Sequence, residues 1–194
     1  EGFIRRRIIM SITKIKEEIS KNWKERHFDL DQRDFFIDLL LKIKPKYCLE
    51  TGFCTGTSSL TVLATVKPKK MISVSLERND LDVAKKLQDD YNFSLIEGDS
   101  TNILTSEFFQ KEFPDGIDFY HVDGGHTFEV ALKDLESAYP FMNDGATIIV
   151  DDYHSQVCPC EDVNRAVDSF VEAKSLTMEK ISTNSGKGMA LISL

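Results

Sequence analysis

Tyr47-Cys48-Leu49-Glu50-Thr51-Gly52-Phe53-Cys54-Thr55-Gly56-Thr57-Ser58 is the stretch that decides the fold. A short strand-like run over 47–50 ends in a turn with two glycines, and an apolar helical stretch opens at about Thr57. Glycine lets the backbone turn tightly and approach another group closely, while the helix start presents free N–H groups. Outward from it, strand and helix patterns alternate. Upstream, helical spacing covers 11–26 (Ile12, Ile15, Ile19, Trp23) and 31–43, ended by Pro45. Downstream come strands at 71–76, 94–96, 117–122 and 147–150, with helices at 80–91, 106–112, 129–141 and 163–174. Strand patterns at 176–181 and 189–194, separated by the turn-rich 183–188, close the chain. Such alternation predicts an α/β, Rossmann-like, doubly wound, mostly parallel sheet with helices on both faces and a C-terminal antiparallel strand.

The chain of 194 residues fits one domain, 1–194, with N-terminal helices over 1–43 and the Rossmann-like core over 46–194. With 41% hydrophobic and 29% charged residues the composition is that of a globular protein, and no apolar run approaches the roughly 20 residues that span a bilayer. The early apolar stretch 3–10 is broken by Arg5, Arg6 and Arg7, unlike a signal peptide, and Met10-Ser11 has the form of a native start. A formal charge of -8 and a pI near 5.1 argue against a nucleic-acid partner, which calls for a basic face, and favour a small-molecule partner. Cys48, Cys54, Cys158 and Cys160 show no disulfide framework, so a reducing cytoplasm is the expected context. A homodimer is compatible with these properties.

The glycine turn lacks G-x-G-x-x-G: Gly52 and Gly56 stand four apart, with Cys54 between them, which disfavours a nicotinamide cofactor. Acid-glycine turns of this kind resemble the first motif of the class I S-adenosylmethionine-dependent methyltransferases, and E-x-G-x-x-x-G-x-S resembles their catechol and macrolide-sugar O-methyltransferase branch. The resemblance implies that Gly52, Phe53, Thr55, Gly56 and Ser58 surround the methionine part of S-adenosylmethionine, with Glu50 supporting either the loop or the ligand's amino group. Rossmann-like folds place an acid near the end of the second strand for the ribose hydroxyls. Here that position aligns with Ser75, and Glu77, two residues on and therefore on the same strand face, is the substitute or a solvated side chain. Gly98-Asp99-Ser100 resembles the adenine-side motif, with Asp99 as acceptor for the adenine amino group.

The most informative stretch is Asp118-Phe119-Tyr120-His121-Val122-Asp123-Gly124-Gly125-His126-Thr127-Phe128-Glu129, with Asp134-Leu135 and later Ile148-Ile149-Val150-Asp151-Asp152-Tyr153. Two consecutive parallel strands each finish in carboxylates at the sheet edge where such folds bind ligands. Three crowded carboxylates repel unless protons or a cation relieve them, and an all-oxygen set suits Mg²⁺, Mn²⁺ or Ca²⁺. The spacing resembles the metal-dependent O-methyltransferases over about 31–170, which implies Asp123, Asp151 and Asp152 as metal ligands. His126 is read as the base that takes the acceptor's proton, or as a capping or exposed histidine. Grouping His154, Cys158 and Cys160 with His126 invites a zinc reading, but C-x-C is a poor zinc spacing and a surface loop is expected.

The expected activity is in-line transfer of a methyl group from S-adenosylmethionine to a hydroxyl of a small molecule (sugar, catechol or other diol), assisted by the cation at Asp123. The helices before Lys46 and the loop 153–162 would flank the acceptor. Two other readings compete: a metal-independent methyltransferase on another acceptor, and a non-catalytic module that binds the same cofactor.

Overall fold

A computed structural model describes residues 13–17, 19–20, 28–76 and 80–194. The strands are β1 (Tyr47–Thr51), β2 (Lys70–Ser75), β3 (Phe93–Glu97), β4 (Ile117–Val122), β5 (Met142–Asp151), β6 (Thr177–Ser182) and β7 (Gly188–Ser193). They form one sheet in the order β3-β2-β1-β4-β5-β7-β6. β1 to β5 run parallel, and β7 lies antiparallel between β5 and β6. This is the doubly wound, Rossmann-like architecture expected from the alternation, with its single antiparallel strand.

The helices are α1 (Leu30–Ile43), α2 (Thr57–Val66), α3 (Leu81–Asp90), α4 (Ser100–Ile103), α5 (Ser106–Glu112), α6 (Phe128–Ala138) and α7 (Glu161–Lys174). A capping box starts α1: the Asp29 carboxylate accepts the Gln32 N–H at 2.8 Å, and Gln32 Oε1 accepts the Asp29 N–H at 3.1 Å. Residues 13–17 and 19–20 are helical too, with Ile15 and Ile19 buried; Ile12 and Trp23 of that pattern lie outside the described residues.

Two boundaries differ from the sequence reading by three residues or more, and one short helix is additional to it, each for a local reason. α6 stops at Ala138 and Tyr139–Phe141 forms a 3₁₀ turn, because Pro140 has no N–H to donate in a continuing helix. β5 begins at Met142, earlier than its apolar run, because the polar Asn143-Asp144-Gly145 still pairs through its backbone: the Gly145 N–H reaches the Leu194 carbonyl at 3.0 Å. The four residues of α4 are too few to show a periodicity.

Alternation along β4 divides the interior between the two faces of the sheet. Phe119 packs with Phe36, Leu40 and Leu63 on one side. Tyr120 and Val122 pack with Phe109, Leu135 and Phe170 on the other. Residues 57–64 of α2 are all buried, as an apolar helix between the sheet and α1 must be. With both faces covered, the free surface for a ligand lies along the strand ends. Among the described residues no helix is long and apolar enough to cross a membrane.

Candidate active site

From β1 the chain crosses towards β2 and β3, whereas from β4 it crosses towards β5, so the β1/β4 boundary is the point where the winding reverses. In such sheets the loops leaving the carboxyl ends of adjacent strands part there and open a crevice. A cleft of about 350 Å³ lies at these strand ends. β1 and the turn after it contribute Thr51 and Gly52, β2 contributes Val74 and Ser75, the segment after β3 Gly98, Asp99 and Ser100, and the segment after β4 Asp123, Gly124 and Gly125. The volume is within the range of about 300–1,000 Å³ common for small-molecule sites.

Gly52 is indispensable to this shape. Its φ is +91°, and a Cβ on it would collide with the Asp123 carbonyl, so the turn after β1 touches the end of β4 directly. The other turn residues are used differently from the arrangement the resemblance implied. Phe53 is buried and stacks on Phe93 with ring centroids 5.7 Å apart, so it anchors the turn in the core instead of facing the cleft. Thr55 Oγ1 pairs with Thr57 Oγ1 at 2.9 Å, and Gly56 caps α2 with φ +72° against the Phe53 ring. Ser58 is buried and donates to Glu50 Oε1 at 2.5 Å, while Ser59 Oγ donates to Glu50 Oε2. Glu50 is itself wholly buried, so it holds the loop and does not line the cleft.

At the far end of the cleft stand Ser75, the exposed Leu76, Asp99 and Ser100. Asp99 caps α4, accepting the Thr101 N–H at 2.9 Å and the Thr101 hydroxyl at 2.7 Å, and still borders the cleft. Glu77 lies outside the described residues. Beneath the floor, Asp134 is buried with no partner at full hydrogen-bond geometry. Burial pushes its pKa up to about 6, with the hydroxyls of Ser100 and Thr51 opposing and the charge of Asp99 adding to the rise.

Beside the cleft, a carboxyl oxygen each from Asp123 and Asp151 and a ring nitrogen of His121 lie within 4.8 Å of one another. Burial first, then the charges of Asp151, Asp152 and Glu50, raise the Asp123 pKa well above the ordinary carboxylate range. Burial raises that of Asp151 as well, against the lowering effect of His121. His121 was not singled out from the sequence, although it stands two residues before Asp123 in β4 and so faces the same way. Its Nδ1 lies 3.2 Å from Glu50 Oε1. A carboxylate can only accept, so Nδ1 is the donor in that contact, and Nε2 is buried without a hydrogen-bond partner. Gln32 was also missed: besides capping α1, its Nε2 donates to Asp151 Oδ1 at 2.8 Å in a buried contact.

Asp152 does not join Asp123 and Asp151 as the third member of that group. Its backbone turns into the left-handed region, φ +58°, and its carboxylate meets His126 instead, Oδ2 to Nε2 at 3.3 Å. His126 Nδ1 in turn lies 3.5 Å from Cys160 Sγ, and Cys160 Sγ lies 3.1 Å from Cys158 Sγ. The stretch expected to be a surface loop thus gathers both of its cysteines with His126 and Asp152; His154 stays outside this group.

A seven-stranded sheet of this order, with β7 antiparallel and helices on both faces, is the class I S-adenosylmethionine-dependent methyltransferase fold. The signature of the family described as "Methyltransferase domain" matches residues 49–153, and the chain belongs to that family. Similar solved structures include the O-methyltransferase TomG of Streptomyces achromogenes, involved in tomaymycin synthesis, in complex with S-adenosylmethionine. It is 16% identical, covers 95% of this chain and 89% of its own, and has a TM-score of 0.70. An O-methyltransferase from Bacillus cereus in complex with S-adenosylhomocysteine is 16% identical, with coverages of 95% and 90% and a TM-score of 0.66. The S-adenosylhomocysteine-bound methyltransferase PaMTH1 of Podospora anserina is 15% identical, with coverages of 99% and 95% and a TM-score of 0.67. No curated protein sequence matches the chain.

Proposed function

We propose that the protein transfers the methyl group of S-adenosylmethionine to a hydroxyl oxygen of a small molecule, a sugar, catechol or other diol, with a divalent cation at Asp123 and Asp151. The observation that carries this reading is the double membership of Asp123. It borders the cofactor cleft and also belongs to the cluster with His121 and Asp151, so the donor and the activated hydroxyl would meet at one residue. The similar structures described as O-methyltransferases support oxygen as the acceptor atom. The acidic net charge of -8 supports a small acceptor over nucleic acid.

The residues present fit a cation. Two carboxylates that repel each other and an imidazole nitrogen, all within 4.8 Å of one another, are electron-pair donors gathered in one place. A nitrogen in the set favours Mn²⁺ over Mg²⁺ or Ca²⁺, which prefer oxygen alone. Bound there, the cation would lower the pKa of a coordinated hydroxyl and stabilise the developing alkoxide. The chain's own residues supply the alignment. Glu50 orients His121 through Nδ1, Gln32 orients Asp151, and the Gly52 turn sets the end of β4 against the cofactor loop. The acceptor oxygen then attacks the methyl carbon in line as the carbon–sulfur bond breaks, leaving S-adenosylhomocysteine. The acceptor's proton passes to water, because both ring nitrogens of His126, the base read from the sequence, already face Asp152 and Cys160.

Calorimetric titration with S-adenosylmethionine, with and without Mn²⁺, followed by methyl transfer to a panel of diols, tests the reading. Binding of the cofactor and turnover abolished by a chelator are expected. Turnover indifferent to chelation would retire the cation, and absence of cofactor binding under both conditions would retire the whole proposal.

A further inference from the structure

We propose that His126, Asp152, Cys158 and Cys160 form a second metal site, a closed thiolate site for Zn²⁺, that clamps the loop after β5 onto the segment between β4 and α6. It is separate from the acidic cluster at Asp123 and does not depend on the acceptor chemistry.

The argument is one of distance and donor type. In a tetrahedral zinc site with bonds of about 2.0–2.3 Å, neighbouring ligand atoms stand roughly 3.3–3.8 Å apart. Cys158 Sγ to Cys160 Sγ is 3.1 Å, Cys160 Sγ to His126 Nδ1 is 3.5 Å, and His126 Nε2 to Asp152 Oδ2 is 3.3 Å. One ligand atom from each of the four residues lies within 4.8 Å of every other, and the imidazole offers one of its two nitrogens to the set. Both cysteines are free thiols, and 3.1 Å is far beyond the roughly 2.05 Å of a disulfide. Thiolate and imidazole together select zinc over the hard cations suited to carboxylates alone.

The surrounding backbone fixes the donors in place. The His154 N–H donates to Asn164 Oδ1 of α7 at 2.7 Å and the Cys158 N–H to the buried Ser155 Oγ at 3.2 Å, so the loop is held to α7 and braced within itself. Two thiols, an imidazole and a carboxylate are thus crowded together. That crowding of donors is what a cation reverses, and loading the site releases two thiol protons to solvent. Four protein ligands leave no open position, so the metal is structural: it joins the segment after β4, the end of β5 and the start of α7.

The test uses the reduced, chelator-washed full chain and Co²⁺ as a spectroscopic stand-in for Zn²⁺. One equivalent of Co²⁺ is expected to give thiolate-to-cobalt charge transfer in the near ultraviolet and intense tetrahedral bands in the visible, bleached by Zn²⁺. Cys158→Ser and Cys160→Ser, checked for folding by circular dichroism, lose the charge transfer. Asp123→Asn and Asp151→Asn keep it, which separates this site from the acidic cluster. In the wild type, Zn²⁺ is expected to protect Cys158 and Cys160 from alkylation while the exposed Cys54 still reacts. The proposal is overturned by tetrahedral bands without thiolate character, by alkylation unaffected by Zn²⁺, or by an intact mass two hydrogens low with Cys158 and Cys160 joined as a disulfide.

Discussion

Gly52 couples two strand ends through a single missing atom. Its φ of +91° costs any other residue about 1–2 kcal/mol, and a Cβ would in addition drive the Asp123 carbonyl out of place. Gly52→Ala is therefore expected to weaken S-adenosylmethionine binding at least tenfold, about 1.4 kcal/mol, in calorimetry on the folded variant. Unchanged affinity would move the cofactor out of this cleft. Asp134 gives a second effect at this scale. Its carboxyl ionises near 3.8 in the unfolded chain and near 6 in the folded one. Between those values the folded state keeps a proton that the unfolded state has released, so stability falls as pH rises through that window, by about 3 kcal/mol in all. Asp134→Asn should flatten this slope, read from urea denaturation on either side of the window; a slope equal to the wild type's would assign it to other groups.

At the scale of elements, α1 reaches the acidic cluster through Gln32, whose side-chain oxygen caps the helix while its nitrogen holds Asp151. A hydrogen bond to a charged group contributes about 1.5–3 kcal/mol, and its loss here leaves a buried carboxyl without that donor. Gln32→Ala should lower stability by about 2 kcal/mol, and Gln32→Glu by more, because it sets a third carboxyl beside Asp123 and Asp151. Chemical denaturation midpoints check both, and a Gln32→Glu variant as stable as wild type would argue against the contact. The helical spacing over 31–43 was legible, but what the side chain of Gln32 touches was not, since Asp151 lies 119 positions away.

For the whole molecule, a ligand that binds only the folded state stabilises it by mass action. Mn²⁺ at about one hundred times its dissociation constant should add about 2.7 kcal/mol to the wild type. Asp123→Asn should gain little from Mn²⁺, yet melt no lower than wild type without it, because it removes one of several crowded negative charges. Thermal melts with and without Mn²⁺ read both effects, and equal gains in the two proteins would remove Asp123 from the ligand set.

The sequence by itself determined the doubly wound sheet, its antiparallel strand, the glycine turn at the strand switch and the carboxylates at the strand ends. These follow from periods of two and 3.6 residues and from glycine and proline, properties that neighbouring residues impose on one another. His121 was within reach of the same logic, two positions before Asp123 on the same strand face. Only the tertiary structure decided which side chains share a site. Asp151 ends β5 in extended backbone and faces Asp123, whereas Asp152 turns to φ +58° and faces His126, so an apparent pair divides between two clusters. Cys160 meets His126 from 34 positions away. Such meetings depend on the order of strands and on the direction in which each loop leaves the sheet, and local spacing carries no record of either.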